Sequence, residues 1–383
     1  MKYLTLDDVC LLNMGQSPDS STYNEVGEGL PFYQGNADFG ERYPQCRIWC
    51  SEPTKIAEKE DVLISVRAPI GALNEAREKC CIGRGLAAIR PKGGLNKDFL
   101  YYFLLSKKSY LISKGTGSTF KAISKNVLRE LTIPVPTLQE QEKQSGILNT
   151  LWRVICKRRT QQAKLDELIK CRFVEMFGDC RSNPKQWDTK KLEEIASVGS
   201  SKRVFVEELI DEGIPFYRGT EVGALAEGQN ITPELFISAS HYQSLCEASG
   251  RPVKGDLLMP SICPDGRIWI VDSDTPFYFK DGRVLWVHDI REQFNPVFLQ
   301  YTLKDRIIAD YASIASGTTF AELKIFSLKS CKIFDAPLSL QTTFASFVRR
   351  IDKFKFACFF FQLITVLQKI IIFFRNFLIC FLF

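Results

Sequence analysis

One arrangement of residues is written twice in this chain, about 200 positions apart. Gly117-Ser118-Thr119-Phe120 returns as Gly317-Thr318-Thr319-Phe320. Leu30-Pro31-Phe32-Tyr33-Gln34-Gly35 returns as Ile214-Pro215-Phe216-Tyr217-Arg218-Gly219, and Asp61-Val62-Leu63-Ile64 through Gly71 returns as Asp256-Leu257-Leu258-Met259 through Gly266. Asn96, Phe99, Leu100 and Tyr102 are answered by Asn295, Phe298, Leu299 and Tyr301. The order never changes while the offset grows toward the later motifs, so insertions fall early in each unit. Solenoid repeats are far shorter and need several copies to bury a core. A long unit present twice therefore implies two tandem domains.

The 383 residues leave room for both, and 45% hydrophobic with 25% charged residues is ordinary for a globular chain. The 13 cysteines form no Cys-x-x-Cys pair and the only histidines are His241 and His288, so neither zinc nor a disulfide framework is expected. Reduced thiols, and an amphipathic start at Met1-Lys2-Tyr3-Leu4-Thr5-Leu6 in place of a leader, point to the cytoplasm. A net charge of +6 suits a nucleic-acid partner without requiring one.

Short β-type runs separated by glycine and proline turns give an α/β (α+β) class for each unit. They are expected at Leu30 to Tyr33, Val62 to Val66 and Leu86 to Ile89, then at Ile214 to Tyr217, Leu257 to Met259, Ile268 to Val271 and Val284 to Val287. Helical periodicity covers Phe99 to Ser113 and Phe298 to Ile314. The expected division is a first domain at 1–136, a helix at 137–180, a second domain at 181–336 and a second helix from 337.

Thr137-Leu138-Gln139-Glu140 has the spacing of a capping box and starts that first helix. Alternating steps of three and four residues select Leu148, Leu151, Ile155, Arg158, Gln162, Leu165, Ile169, Arg172 and Met176, with no glycine or proline from Ile147 to Phe177. The pattern is that of a long amphipathic helix with a coiled-coil-like seam. About 40 residues at 1.5 Å each reach roughly 60 Å, the length of a spacer. The second unit begins the same helix, with Val348 and Ile351 in place of Leu148 and Leu151. Two such helices are expected to pair antiparallel; an ordinary core-facing helix is the plainer alternative.

From about Phe354 the likeness between the copies ends. Residues 157–183 contain eleven charged side chains, whereas 357–383 contain two, Lys369 and Arg375, together with eight phenylalanines. The length would serve a membrane anchor, but the two cations with Gln362, Gln368 and Asn376 interrupt it. The reading preferred here is a shifted frame in an AT-rich gene, which would leave Ile155 to Met176 without a matching helix and expose an apolar segment.

Taken together, Pro-Phe-Tyr-x-Gly, the Asp61 to Gly71 motif, Gly-Ser-Thr-Phe, Pro-x-Pro-x-Leu-x-x-Gln and the long helix resemble the specificity subunit of a type I restriction–modification system over residues 1 to 355. The resemblance implies two target recognition domains that each read half of a split double-stranded DNA sequence. It also implies paired helices acting as a ruler, and docking of two methyltransferase subunits and of restriction subunits. S-adenosylmethionine, ATP and Mg2+ would be used on those other subunits, with no active site, cofactor or metal on this chain and no membrane. The amino-methylation motifs Asn-Pro-Pro-Tyr and Asp-Pro-Pro-Tyr are lacking, in keeping with that. A stand-alone DNA-binding adaptor and a membrane-anchored DNA-binding protein are the alternatives.

On that reading, Arg67 beside Ala68-Pro69-Ile70-Gly71 is placed to contact guanine or phosphate, or else to brace its loop. Gln34 and Asn36 in the first copy, and Arg218 and Thr220 in the second, sit at a strand end where such groups read base edges or simply shape a turn. Ser118, Thr119, Lys121, Thr318 and Thr319 suit phosphate contacts, although a helix-capping turn would use the same residues. Arg84, Lys92, Arg203, Arg251, Arg267 and Arg283 are further phosphate candidates, each also an ordinary surface charge.

Overall fold

The structure, a computed structural model, describes residues 2–117, 121–316 and 321–357. The expectations for Ser118, Thr119, Thr318, Thr319 and the tail beyond residue 357 lie outside these residues. What is described falls into two compact units, one within Met1–Arg159 and one within Thr160–Phe360.

In the first unit, Lys2–Thr5 pairs antiparallel with Thr132–Val135, tying the start of the unit to its end. A four-stranded antiparallel sheet follows in the order Cys10–Met14, Leu86–Pro91, Val62–Ser65, Leu73–Glu75. Every residue of Val62–Ser65 is buried, because this strand has a core on both faces. Val62 and Ile64 pack with Leu100, Leu104 and Leu111 on one side. Leu63 packs with Tyr33, Ile82 and Leu86 on the other. That second layer is a sheet in which Leu30–Tyr33 runs parallel to Cys80–Ile82.

The helical stretch expected as one piece is two helices, Lys97–Ser106 and Lys108–Ser113. At the join the Lys107 N–H is shared between the Phe103 and Leu104 carbonyls at 3.2 and 3.1 Å. The tight turn swings the second helix so that Leu111 reaches the core already occupied by Leu100 and Leu104.

The second unit repeats the plan. Thr189–Lys191 pairs with Lys332–Phe334, and an antiparallel sheet runs Ser197–Gly199, Val284–His288, Leu257–Pro260, Trp269–Ile270. Ile214–Tyr217 runs parallel to Tyr278–Phe279. Here the helix Pro296–Ile314 is unbroken. Two helices not expected from the sequence, Gly219–Ala226 and Ala239–Ser249, occupy the insertion between Ile214–Tyr217 and Leu257–Pro260. The repeated aspartates have the same use in both units. Asp61 accepts the Glu58 N–H and Asp256 the Val253 N–H, each at 2.9 Å, closing the turn ahead of the central strand.

A single helix covers Leu138–Phe177, and the boundary between the compact units falls within it. Its later half enters the second core through Ile169, Phe173 and Phe177, beside Phe298, Leu303, Phe344 and Val348. Within that unit it packs against a helix described over residues 338–357. Asp166 pairs with Lys355 at 2.6 Å, Arg172 lies over the Phe347 ring at 6.0 Å, and the Phe173 and Phe344 rings are 5.4 Å apart. One number falls as the other rises, so the two helices run antiparallel there.

The side chains at this face are not all those picked by the three-four stepping. Ile169 is buried, Leu165 and Met176 are half-buried, and Val348 and Ile351 join the same core. Arg172, however, is replaced in the core by its neighbour Phe173. A helix of 3.6 residues per turn lags a strict 3.5 repeat by about 20° per heptad, roughly 70° from Leu148 to Arg172, which turns the buried stripe toward the following residue. Leu148 and Leu151 are half-buried and Ile155 is 41% exposed. Among the described residues no helix is long and apolar enough to cross a membrane.

Candidate nucleic-acid interface

In the first unit, three loops converge at one end of the sheets. The strand Leu30–Tyr33 delivers Gln34, held by the Gly83 N–H donating to the Tyr33 carbonyl at 2.8 Å. The turn that follows is shaped by Asp38, which accepts the backbone N–H groups of Gln34 and Gly35 at 2.8 and 3.3 Å and receives the Arg47 guanidinium at 2.7 Å. Gly85 must lack a side chain, since a Cβ there would lie 2.4 Å from the Gln34 carbonyl oxygen. The strand Val62–Ser65 delivers Arg67. Ser65 Oγ donates to the Arg67 carbonyl at 2.8 Å, and the Gly71 N–H returns to the Ser65 carbonyl at 2.9 Å with Gly71 at φ 81. The third loop lies alongside, with the Ala68 N–H donating to the Lys121 carbonyl at 3.2 Å and the Ile123 N–H to the Val66 carbonyl at 2.9 Å.

The result is a cleft of about 800 Å³ that gathers Gln34, Asn36, Arg67 and Arg84 in one place. Arg67, Arg84 and Lys121 are exposed. Among the described residues none of the three has an ion-pair partner, and the Gln34 and Asn36 side-chain amides have no hydrogen-bond partner. Glu25 lines the same cleft and was not foreseen. Neither were Asp38 and Arg47, whose roles depend on a turn that residue spacing does not reveal. Lys92 is differently placed: its ammonium donates to the Asp7 and Asp8 carbonyls at 2.7 and 3.1 Å, closing the end of a short helix.

In the second unit the corresponding strand end passes straight into the helix Gly219–Ala226, and its arginine is already engaged. Arg218 donates to Glu221 from the backbone at 2.8 Å and from the side chain at 2.5 and 3.2 Å, and reaches Glu234 at 3.1 Å. Thr220 adds its hydroxyl to Glu221 at 2.9 Å. Burial pushes the Glu221 carboxyl up, but these hydrogen bonds outweigh it and hold the group down at about 2. Arg267 pairs with Asp265 at 2.8 Å and Glu227 at 3.4 Å, Arg203 with Asp281 at 3.3 Å, and Arg283 with Glu322. The i, i+3 spacing of Arg218 and Glu221 was legible in the sequence; Glu234 and Glu322 come from distant segments and were not. Arg251 is exposed.

Such a site presents amide and guanidinium edges on fixed turns. It has the chemistry to hydrogen-bond base edges and phosphates. Among the described residues no group of His, Cys, Asp and Glu is arranged to hold a metal ion. Burial pushes the Cys80 and Cys263 thiols up to about 12, which leaves them protonated packing groups.

Residues 1–165 match the family described as the type I restriction modification DNA specificity domain. Over its first 165 residues the chain is thus similar to the DNA specificity domains of type I restriction–modification systems. A Methanocaldococcus jannaschii protein named as the MjaX type I restriction enzyme specificity subunit is 42% identical over 158 residues, spanning 41% of this chain and 37% of that relative. The MjaIX specificity subunit of the same organism is 26% identical over 322 residues, or 77% of this chain and 71% of the relative. A crystal structure of a type I restriction–modification S subunit from M. genitalium shares the fold across 96% of this chain and 95% of its own, with a TM-score of 0.56 at 18% identity. The twofold repetition of the sheets is the feature that the described residues display most directly.

Proposed function

We propose that this chain is the DNA-sequence-reading subunit of a type I restriction–modification complex, with each unit reading one part of a bipartite double-stranded target. The observation that carries this reading is the first-unit cleft, where Gln34, Asn36, Arg67 and Arg84 converge from separate loops with their polar edges uncommitted. Amides suit adenine edges and guanidinium groups suit guanine or phosphate. The similarity of residues 1–165 to the specificity-domain family and the repetition of the fold support the same conclusion.

In this reading the helix Leu138–Phe177 and its antiparallel partner act as spacer and as the docking surface for two methyltransferase subunits, with restriction subunits joining that assembly. Methylation and cleavage, and the S-adenosylmethionine, ATP and Mg2+ they use, belong to those subunits; this chain supplies recognition alone. The test is to map methylated sites across the genome with and without the gene. One bipartite motif should vanish when it is absent. An unchanged methylation pattern would overturn the assignment.

A further inference from the structure

The two units repeat a fold but not its charge. In the first, Arg67, Arg84 and Lys121 stand exposed around the cleft with no ion-pair partner among the described residues. In the second, four of the candidate arginines, Arg203, Arg218, Arg267 and Arg283, each meet a carboxylate. Arg218 meets two, so that with Glu221 and Glu234 it forms a cluster of net charge −1 at the strand end where the first unit has neutral Gln34.

The contrast is written into equivalent positions. The Ile123 N–H donates to the Val66 carbonyl at 2.9 Å and the Leu323 N–H to the Ser261 carbonyl at 2.7 Å, which fixes an offset of 200 for this loop. Lys121-Ala122 in the first copy is then Ala321-Glu322 in the second. A cation has been lost and an anion gained beside the same strand. Glu322 faces Lys324 at 3.3 Å as well as Arg283.

Salt sensitivity of DNA binding counts the net positive charge brought to phosphates, because each neutralised phosphate releases condensed counterion. An arginine that arrives with its carboxylate brings almost none. If the carboxylate is expelled on binding, it must take up a cation from solution, and the release is again cancelled. This cancellation does not need the ion pairs to be strong, and exposed ones are not; it needs only the carboxylates to be adjacent.

We propose that the salt-dependent grip on the DNA backbone is carried by the first unit, through Arg67, Arg84 and Lys121. The second unit reads its half-site with arginines whose charge is already neutralised and whose direction is set by Glu221, Glu234, Asp265 and Glu322. Those four are positioning residues. This rests on the DNA-reading function proposed above and adds an inequality between the halves that the function does not require.

The experiment uses the full chain assembled with its methyltransferase partners and a duplex carrying the mapped target, and follows log Kobs against log[KCl]. Replacing Arg67, Arg84 or Lys121 by alanine should each lower the magnitude of the slope by about 1. Removing Arg267 together with Asp265, a change of zero net charge, should leave it unchanged while relaxing base preference in one half-site only. Glu322→Gln, which frees Arg283 without removing a cation, should raise the slope by up to about 1; it tests the idea by a gain that misfolding would not produce. Equal losses of slope from both units, or no gain with Glu322→Gln, would overturn the inference while leaving sequence reading intact. An unmodified complex that fails to bind the duplex at all would overturn the functional reading and this inference together.

Discussion

Gln141 clamps Asn96. Its Oε1 accepts the Asn96 N–H at 2.7 Å while its Nε2 donates to the Gly94 and Pro136 carbonyls at 3.0 and 2.9 Å. Gln341 does the same for Asn295 at 2.8 Å, with the Gln293 and Ala336 carbonyls as acceptors at 3.2 and 2.7 Å. Both glutamines are fully buried. Each fastens the first turn of a helix to the N-cap of the helix carried by the adjacent sheet, so the repeated Leu-x-x-Gln of Leu138–Gln141 and Leu338–Gln341 has a structural meaning in both copies.

Gln141→Leu keeps the volume but strands a buried N–H and two carbonyls. A loss of about 3 kcal/mol is expected, since each unsatisfied buried group costs roughly 1–3 kcal/mol and some will relax toward water. In denaturant titration the midpoint should fall with little change in slope. A loss below about 0.5 kcal/mol would mean that the glutamine is not holding the two elements together.

The displaced helix stripe gives a paired prediction. Phe173 is 3% exposed and packs with Phe177, Phe298 and Phe344. Phe173→Ala should cost about 4 kcal/mol by emptying that aromatic cluster. Arg172→Ala, one position away on the strict heptad seam, should cost less than about 1 kcal/mol, because its pair with Glu175 is solvent-exposed. Thermal unfolding of the two variants distinguishes them directly; the reverse order would restore Arg172 to the seam.

Glu221 makes the stability of the second unit dependent on pH in a defined window. Its folded-state value near 2 lies below the ordinary 4.5, so the stabilisation is present in full above about pH 4.5 and fades as pH falls toward 2. Glu221→Gln should therefore be less stable than the parent at neutral pH, and the two melting curves should converge by about pH 2. A constant separation across that range would show that Glu221 ionisation does not contribute.

Much of the architecture was legible because it was written twice. Leu30–Tyr33 and Ile214–Tyr217 are strands at the boundaries the apolar runs suggested, and Leu138–Phe177 is the expected helix, opened by Thr137 and Glu140 through hydrogen bonds of 2.8 and 2.9 Å. The break at Lys107 was not legible, since periodicity on either side is helical and only the position of Leu111 in the core requires the turn. Helix Gly219–Ala226 was hidden in the same way, behind a Gly-Thr pair that reads as a loop.

The candidate site was legible in part for a similar reason. Gln34, Asn36, Arg67 and Arg84 were chosen singly from turn positions, and tertiary folding brings them into one cleft. The carboxylates that occupy Arg267 and Arg283 lie up to 40 positions away in sequence, beyond the reach of any local pattern.

The most direct test of the central claim is to exchange residues 181–336 for the corresponding segment of another specificity subunit, assemble the chain with its methyltransferase partners, and sequence the methylated sites. The account predicts that one half of the bipartite motif changes and the other is retained. Alteration of both halves, or of neither, would contradict it.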